Sequence, residues 1–182
     1  LPVPGIASGA PPLPASFRVL FYLPVDAFDR EVFDIETMLR LPRELPDVAF
    51  VLIPSPAESL PSPLPLNLEA RGWVTDMDAL YRETTVLARL VAHDGMPFMV
   101  LEALSRGRHA VYSYELPGVV HARGYDAVKE AITRLRDAHA GGDLGLNEAG
   151  MRWVAESHAP GPAADAIDRR LREVLTRYAS RG

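Results

Sequence analysis

Residues 85–115 read "TVLARLVAHDGMPFMVLEALSRGRHAVYSYE", and their order decides the fold. The first eight, 85–92, are apolar at nearly every position, as in a strand covered on both faces of a sheet. A turn of His93, Asp94 and Gly95 follows, and Pro97 stands where a helix over 98–106 would begin. Proline suits that first position because its missing N–H would have had no partner there. Gly107 supplies the stop, and 109–115 returns to a buried, strand-like run. Strand, helix and strand in this succession make two parallel strands joined by a crossover helix.

The same alternation extends on both sides. "FRVLFYL" (17–23) is a strand, and "DREVFDIETMLRLPREL" (29–45) spaces Val32, Phe33, Ile35, Met38, Leu39 and Leu41 as a helix that Pro42 ends or bends. "DVAFVLIP" (47–54) is a second buried strand, followed by a proline-rich loop (55–67) and a short strand "LEARGWV" (68–74). "TDMDALYRET" (75–84) is a short helix capped by Thr75 or Asp76. Beyond the quoted stretch, Pro117-Gly118 turns into a sixth strand within 118–124. The amphipathic run 125–140 and helices at 146–157 and 162–179 complete the chain. The expected fold class is α/β, a single doubly wound parallel sheet with helices on both faces and further helices at the C-terminus. Right-handed crossovers then place a ligand crevice at the C-terminal ends of the strands. The loops 24–30, 54–65, 74–76, 93–97 and 113–118 are expected along that edge.

Composition narrows the function. The 182 residues, 48% hydrophobic and 24% charged, suffice for one domain with a sizeable core. A net charge of −5 offers no basic face for nucleic acid. No run approaches the roughly 20 apolar residues of a membrane span. The absence of cysteine excludes a disulfide scaffold, a thiol nucleophile and a thiolate-held zinc, and it suits a cytosolic protein. The five histidines lack metal-ligand spacing, and no Gly-x-Ser-x-Gly elbow or phosphate-binding P-loop occurs, so no metal or cofactor is expected. Residues 1–16 hold five prolines without apolar periodicity and read as an extended linker, leaving 17–182 as the folded domain. The arginines of 168–177 read as a solvated helix face, with docking to another domain or to anionic lipid as the alternative.

Two carboxylates stand out in the opening stretch. Asp94 lies in the turn, and Glu102 lies within the helix among Val100, Leu101, Ala103 and Leu104. A helix start aims free amides at the crevice, where they and the helix dipole favour phosphate. An ionised Glu102 among apolar neighbours needs a partner: a pair of sugar hydroxyls, an arginine, or solvent.

Asp94-x7-Glu102 within "HDGMPFMVLEALSRGRHAV" resembles the signature of group 1 retaining glycosyltransferases of the GT-B type, whose two domains are both Rossmann-like. Asp94 stands where that family usually has Glu, Gly95, Met96 and Pro97 fill its turn, and Glu102-Ala103-Leu104, Gly107 and Val111 match the rest. "ARGWV" (70–74) is similar to the family's strand ending in a Gly-x-Val turn, and "LNEAGMRWVAESHAP" (146–160) to its late helix. The proline-rich opening resembles the linker that enters the second domain.

The resemblance implies the donor-binding, C-terminal half of a hexosyltransferase-type enzyme whose N-terminal acceptor domain lies outside this chain. It implies a nucleoside-diphosphate sugar as substrate, no metal, and a cytoplasmic setting with peripheral membrane contact as an option. Glu102 would hold the donor ribose, and Asp94 would face the donor sugar near its anomeric carbon. Gly95, Met96, Pro97 and Phe98 would line the sugar and diphosphate, with Trp73 and Val74 beside the base. His93 would contact donor or acceptor, unless it only caps the turn.

One departure touches catalysis. The family's first loop carries Gly-Arg-x4-Lys-Gly, whereas here Pro24 and Val25 occupy the Gly-Arg positions, Arg30 serves for the Lys and Glu31 replaces the last Gly. Arg89 either replaces the lost cation or pairs with an acid on a neighbouring loop. A noncatalytic nucleotide-sugar binding module and a GT-B nucleotide-sugar epimerase remain the alternatives.

Overall fold

The structure, a computed structural model, describes residues 10–25, 31–158, 165 and 167–172. Six parallel strands form one sheet: β1 (Arg18–Leu23), β2 (Ala49–Pro54), β3 (Leu68–Ala70), β4 (Val86–Arg89), β5 (His109–Tyr112) and β6 (Val120–His121). Their order is β3-β2-β1-β4-β5-β6, so the winding reverses between β1 and β4. A crevice opens at the carboxyl ends of the strands at such a reversal. The described helices are α1 (Ile35–Glu44), α2 (Met77–Arg82), α3 (Phe98–Ser105), α4 (Tyr125–Ala140) and α5 (Glu148–His158), with one 3-10 turn at Ala57–Ser59. The α/β doubly wound fold is the one expected.

Alternate residues of each strand feed opposite cores, which is why the strands read as continuous apolar runs. Val19, Phe21 and Leu23 of β1 join Phe50 and Leu52 of β2 under α1 and α4, where Met38, Leu41, Val128 and Ile132 cover them. Leu20 and Val51 face the other way, against Leu80 and Tyr81 of α2, Leu101 and Leu104 of α3 and Val154 of α5.

Several boundaries move from expectation. The α1 helix begins at Ile35 rather than near 29, because Asp34 caps it by accepting the Thr37 amide at 3.1 Å. Pro42 does not end the helix at itself: it is buried, α1 runs on to Glu44, and the Leu45 amide closes the last turn on Leu41 at 2.9 Å. Asp76, not Thr75, caps α2. Pro97 is the N-cap of α3, one residue before the first helical position, and Gly107 follows the Arg106 C-cap with φ +70°. The strand at 68–74 pairs only over Leu68–Ala70, and β4, β5 and β6 are likewise shorter than their apolar runs. Segment 113–119 also returns to the N-terminal edge, since Asn147 Nδ2 donates to the carbonyls of both Gly118 (2.7 Å) and Arg108 (3.4 Å). Of the last expected helix, residues 165 and 167–172 are helical and the rest lies outside the described residues.

Two features hold the edge away from the crevice. The fully buried Arg108 donates to the carbonyls of Pro11 (2.7 Å) and Pro12 (3.0 Å), and His139 Nε2 meets the Pro14 carbonyl at 2.8 Å. The end of the proline-rich lead-in is therefore laid against the domain. Nearby, α5 touches the turn before β6 backbone to backbone. A Cβ on Gly118 (φ +81°) would overlap the Gly150 Cα, and one on Gly150 would come within 2.7 Å of Leu104 Cδ2.

Candidate functional site

The start of α3 stands beside β4 at the reversal point, and its approach is tied down from several directions. Val91 donates its amide to Ser113 Oγ (3.0 Å), Tyr114 donates its hydroxyl to the Ala92 carbonyl (2.6 Å), and Ala92 donates its amide to the Val32 carbonyl (2.7 Å). Phe33 forms an antiparallel bridge with Val91. These bonds explain why the apolar run 85–92 outlasts the strand: Leu90 and Val91 are buried against a neighbouring loop rather than a neighbouring strand, and the exposed Ala92 ends the run.

Asp94 leaves this anchored turn with its side chain only 8% exposed. Arg89 grips it with both arms of its fork, Nε to Oδ2 at 3.0 Å and Nη2 to Oδ1 at 3.2 Å, and Tyr112 donates its hydroxyl to Oδ2 at 3.1 Å. Of the two expectations for Arg89, pairing with an acid on a neighbouring loop is the one observed, and that acid is Asp94 itself. The guanidinium carbon also lies 5.0 Å from the Tyr22 ring centroid and 5.6 Å from that of Phe33. Such aromatic faces attract a cation. Burial, then the Asp94 charge, push the Tyr112 phenol well above its ordinary pKa, so it remains a donor at neutral pH.

Glu102 is half-buried, one turn inside α3. Among the described residues it makes no arginine pair. The neighbouring Arg106 binds Asp78 (2.6 Å) and gives the backbone carbonyl of Glu102 one further bond (3.1 Å). The carboxylate instead accepts at Oε2 from the Tyr81 hydroxyl at 3.1 Å, while Oε1 has no partner among the described residues. Tyr81 is fully buried, and burial followed by the Glu102 charge raises its pKa well above the usual value. Its hydroxyl also lies 3.2 Å from the Met99 carbonyl, a second acceptor for its single proton.

At the helix start, the Phe98 amide is already committed to the Met96 carbonyl at 2.8 Å, and Pro97 has no amide to offer. The amides of Gly95, Met96, Met99 and Val100 donate to no backbone carbonyl among the described residues, so the free donors lie on both sides of Pro97 and Phe98. His93 and Gly95 are exposed, as are Met96 and Phe98 at 44% and 40%. Trp73 is 81% exposed beside the half-buried Val74, at a cavity of ≈ 410 Å³ that Arg71, Asp76 and Glu83 also line. Arg71 and Arg18 are both ion-paired to Glu83. A larger cavity, ≈ 630 Å³, lies between the starts of α1 and α4 among Phe33, Asp34, Leu90, Ser113 and Arg123. Arg30 lies outside the described residues.

The structure thus brings Asp94, Arg89, Glu102 and residues 95–98 together around one helix start. Sequence reasoning missed Tyr81 and Tyr112, the phenols that hold the two carboxylates. A signal existed for Tyr112, which ends the buried strand β5, where a tyrosine hydroxyl needs a partner; Tyr81 lies in the short α2 between the charged Asp78 and Arg82 and carried no such mark. Among the described residues, no group of three or more potential ligands is placed to hold a metal ion, and no helix is long and apolar enough to cross a membrane.

No protein-family model matches the sequence, and no curated protein matches it significantly. Solved structures do. The C-terminal domain of a group 1 family glycosyl transferase (LpcC) from Francisella tularensis superposes with a TM-score of 0.58 at 11% identity, over 81% of this chain and 89% of that domain. Sucrose-phosphate synthase from Thermosynechococcus elongatus gives a TM-score of 0.72 at 14% identity, over 91% of this chain and 47% of the synthase. HepE from Anabaena, solved with UDP and glucose, gives 0.65 at 12% identity, over 89% of this chain and 48% of that protein. The chain therefore spans about half of the two longer proteins. At these identities the likeness is one of fold, and the fold is that of the C-terminal half of GT-B glycosyltransferases.

Proposed function

Taking that fold as the premise, we propose that the chain is the donor-binding domain of a retaining, hexosyltransferase-type glycosyltransferase. It takes a sugar from a nucleoside diphosphate, without metal, and is completed by an acceptor domain outside these residues. The observation that carries the reading is the pair of carboxylates flanking one helix start at the sheet's reversal point, each held by a buried tyrosine. A tyrosine donor fixes the orientation of each carboxylate and leaves acceptor capacity for hydroxyl groups on Glu102 Oε1 and on Asp94 Oδ1 beside its one arginine bond. Glu102 Oε1 is the acceptor for the ribose, Asp94 faces the sugar, and the amides of Met99 and Val100 receive the diphosphate.

The leaving diphosphate needs charge compensation as its bond to the sugar breaks, and preorganised donors supply several kcal/mol of such stabilisation, on the order of 3 each. Arg89 is already neutralised by Asp94, which leaves that task to the helix start and to Arg30. The acceptor hydroxyl needs no strong protein base if the departing phosphate takes its proton on the same face. The neighbours' bound UDP and glucose support a nucleotide-sugar ligand for this chain. The occupied state of Arg89, together with Pro24 and Val25 in the first loop, favours a second reading in which the domain binds nucleotide sugars without transferring them. Transfer to any acceptor by the protein with its flanking sequence decides between the two.

The test of the binding site is Glu102→Ala. Two charge-assisted bonds to neighbouring hydroxyls contribute roughly 1.5–3 kcal/mol each before desolvation. Calorimetry with UDP, GDP and ADP is expected to show affinity falling about tenfold or more for the nucleotide that binds, at that energy scale. The melting temperature holds, because the Tyr81 hydroxyl still has the Met99 carbonyl. A large drop in melting temperature with unchanged affinity overturns the assignment.

A further inference from the structure

We propose that Tyr112 and Arg89 are positioning residues that fix the Asp94 carboxylate in one orientation, with Oδ1 left as the acceptor for one hydroxyl of the donor sugar; this rests on the nucleotide-sugar reading above. An Asp in place of the family's Glu has one methylene fewer and a shorter reach, so the location of its carboxylate depends on what surrounds it. Here the surroundings are complete. Oδ2 accepts two bonds, from Arg89 Nε and the Tyr112 hydroxyl, which uses both of its lone pairs. Oδ1 accepts only Arg89 Nη2, so one lone pair remains.

The two donors come from separate strands. Arg89 ends β4 and Tyr112 ends β5, and the two residues are register partners in the parallel ladder. The carboxylate is therefore referenced to the sheet rather than to the turn that carries it. Arg89 is itself held between the Tyr22 and Phe33 rings, and Tyr112 is 3% exposed with its ring in the core. Neither can follow a mobile ligand. A carboxylate bound by a fork and a phenol is also a poor nucleophile and a poor base, since its charge is already shared among three donors. It acts on turnover by holding the sugar in place rather than by attack or proton transfer, and its preference is for a sugar hydroxyl over a phosphate oxygen, which would repel it.

Tyr112→Phe keeps the ring and removes only the hydroxyl, and Arg89→Lys keeps the charge and removes the fork. Calorimetry would compare UDP, GDP and ADP with their glucose conjugates on the whole chain. In both variants the affinity for the bare diphosphate is expected to stay within about twofold, while the extra affinity contributed by glucose falls about fivefold to tenfold. Equal losses for diphosphate and conjugate, or no loss for either, overturn the proposal. A second measurement needs no ligand. Amide hydrogen exchange at residues 93–98 is expected to quicken at least about tenfold in Tyr112→Phe, with protection at 125–140 unchanged. Unchanged exchange in the turn overturns the positioning role even if nucleotides bind. If the wild-type chain binds none of the six compounds, the nucleotide-sugar reading falls, and the exchange result alone decides whether the two residues orient Asp94.

Discussion

Arg89 and Arg108 stand at opposite ends of neighbouring strands, and the molecule treats them differently. Arg89, at the crevice edge, meets a carboxylate with both arms and rests between two aromatic rings. Arg108, at the far edge, meets no carboxylate among the described residues. It binds two backbone carbonyls, its Nε finds no partner, and burial pulls its pKa below the usual arginine value. Burying a guanidinium is costly at either place. At the crevice the cost is offset by the pairing with Asp94, which holds that acid oriented where a ligand arrives. At the far edge it is offset by tying down a proline-rich segment whose carbonyls have no strand to pair with. One charge serves recognition and the other serves attachment.

The comparison breaks most visibly at Arg108. Arg108→Ala should lower stability by about 3 kcal/mol, two charged hydrogen bonds less the desolvation recovered, with nucleotide affinity of the folded protein unchanged. Urea denaturation measures the loss, and a value below about 1 kcal/mol would mean the lead-in is held by something else. Asp94→Asn comes next. It leaves Arg89 buried opposite a neutral amide and should cost roughly 2 kcal/mol, less than a fully buried pair because some solvent reaches the guanidinium. In the protein with its flanking sequence, turnover should fall further than donor affinity, and a proportional fall of both would make Asp94 a binding residue only.

A pH scan separates the two edges more gently. His109, beside Arg108, has its pKa lowered first by burial, against an opposing bond to the Gly145 carbonyl. The unfolded chain therefore takes up this proton before the folded one does. Its contribution to stability is complete above the ordinary histidine value of about 6.5 and is lost as pH falls through the lower folded value. His109→Gln should flatten the melting temperature between pH 7 and 5 (about one unit either side of a histidine midpoint), whereas Glu102→Gln should leave that limb in place. The smallest effect on stability belongs to Trp73→Ala, within about 0.5 kcal/mol for so exposed a side chain. If the ring stacks on the base, nucleotide affinity should nonetheless drop severalfold, since such stacking contributes about 1–3 kcal/mol.

The winding of the sheet was legible because the inner strands β1, β2, β4 and β5 are buried on both faces and apolar at nearly every position, whereas the edge strands β3 and β6 expose Glu69 and His121. Helix 125–140 was legible to the residue because a glycine stands at each end. Strand ends were not, since Leu90 and Val91 stay buried after the ladder stops and an apolar run does not say what covers it. The cluster around α3 was legible as residues but not as contacts. Arg89 and Asp94 were both marked, yet nothing in their spacing says that one grips the other. Tyr112 lies 18 positions from Asp94 and Tyr81 lies 21 from Glu102, separations that only the folded sheet closes. Arg108 drew no notice for the same reason, because its partners lie 96 and 97 positions away.

The touch between Gly118 and Gly150 has a consequence for how this sequence can drift. At Gly118 a side chain is opposed twice, by a left-handed backbone and by the helix it would strike, and at Gly150 by Leu104 and Asn147. Compensation from the partner position is closed off, since both are already the smallest residue there is. A saturation library selected for folded protein should therefore return both columns almost empty, and a second-site suppressor of either would have to arise in the placement of α5 rather than at the contact. Variation elsewhere in the chain can be exchanged position for position; here it can only be refused.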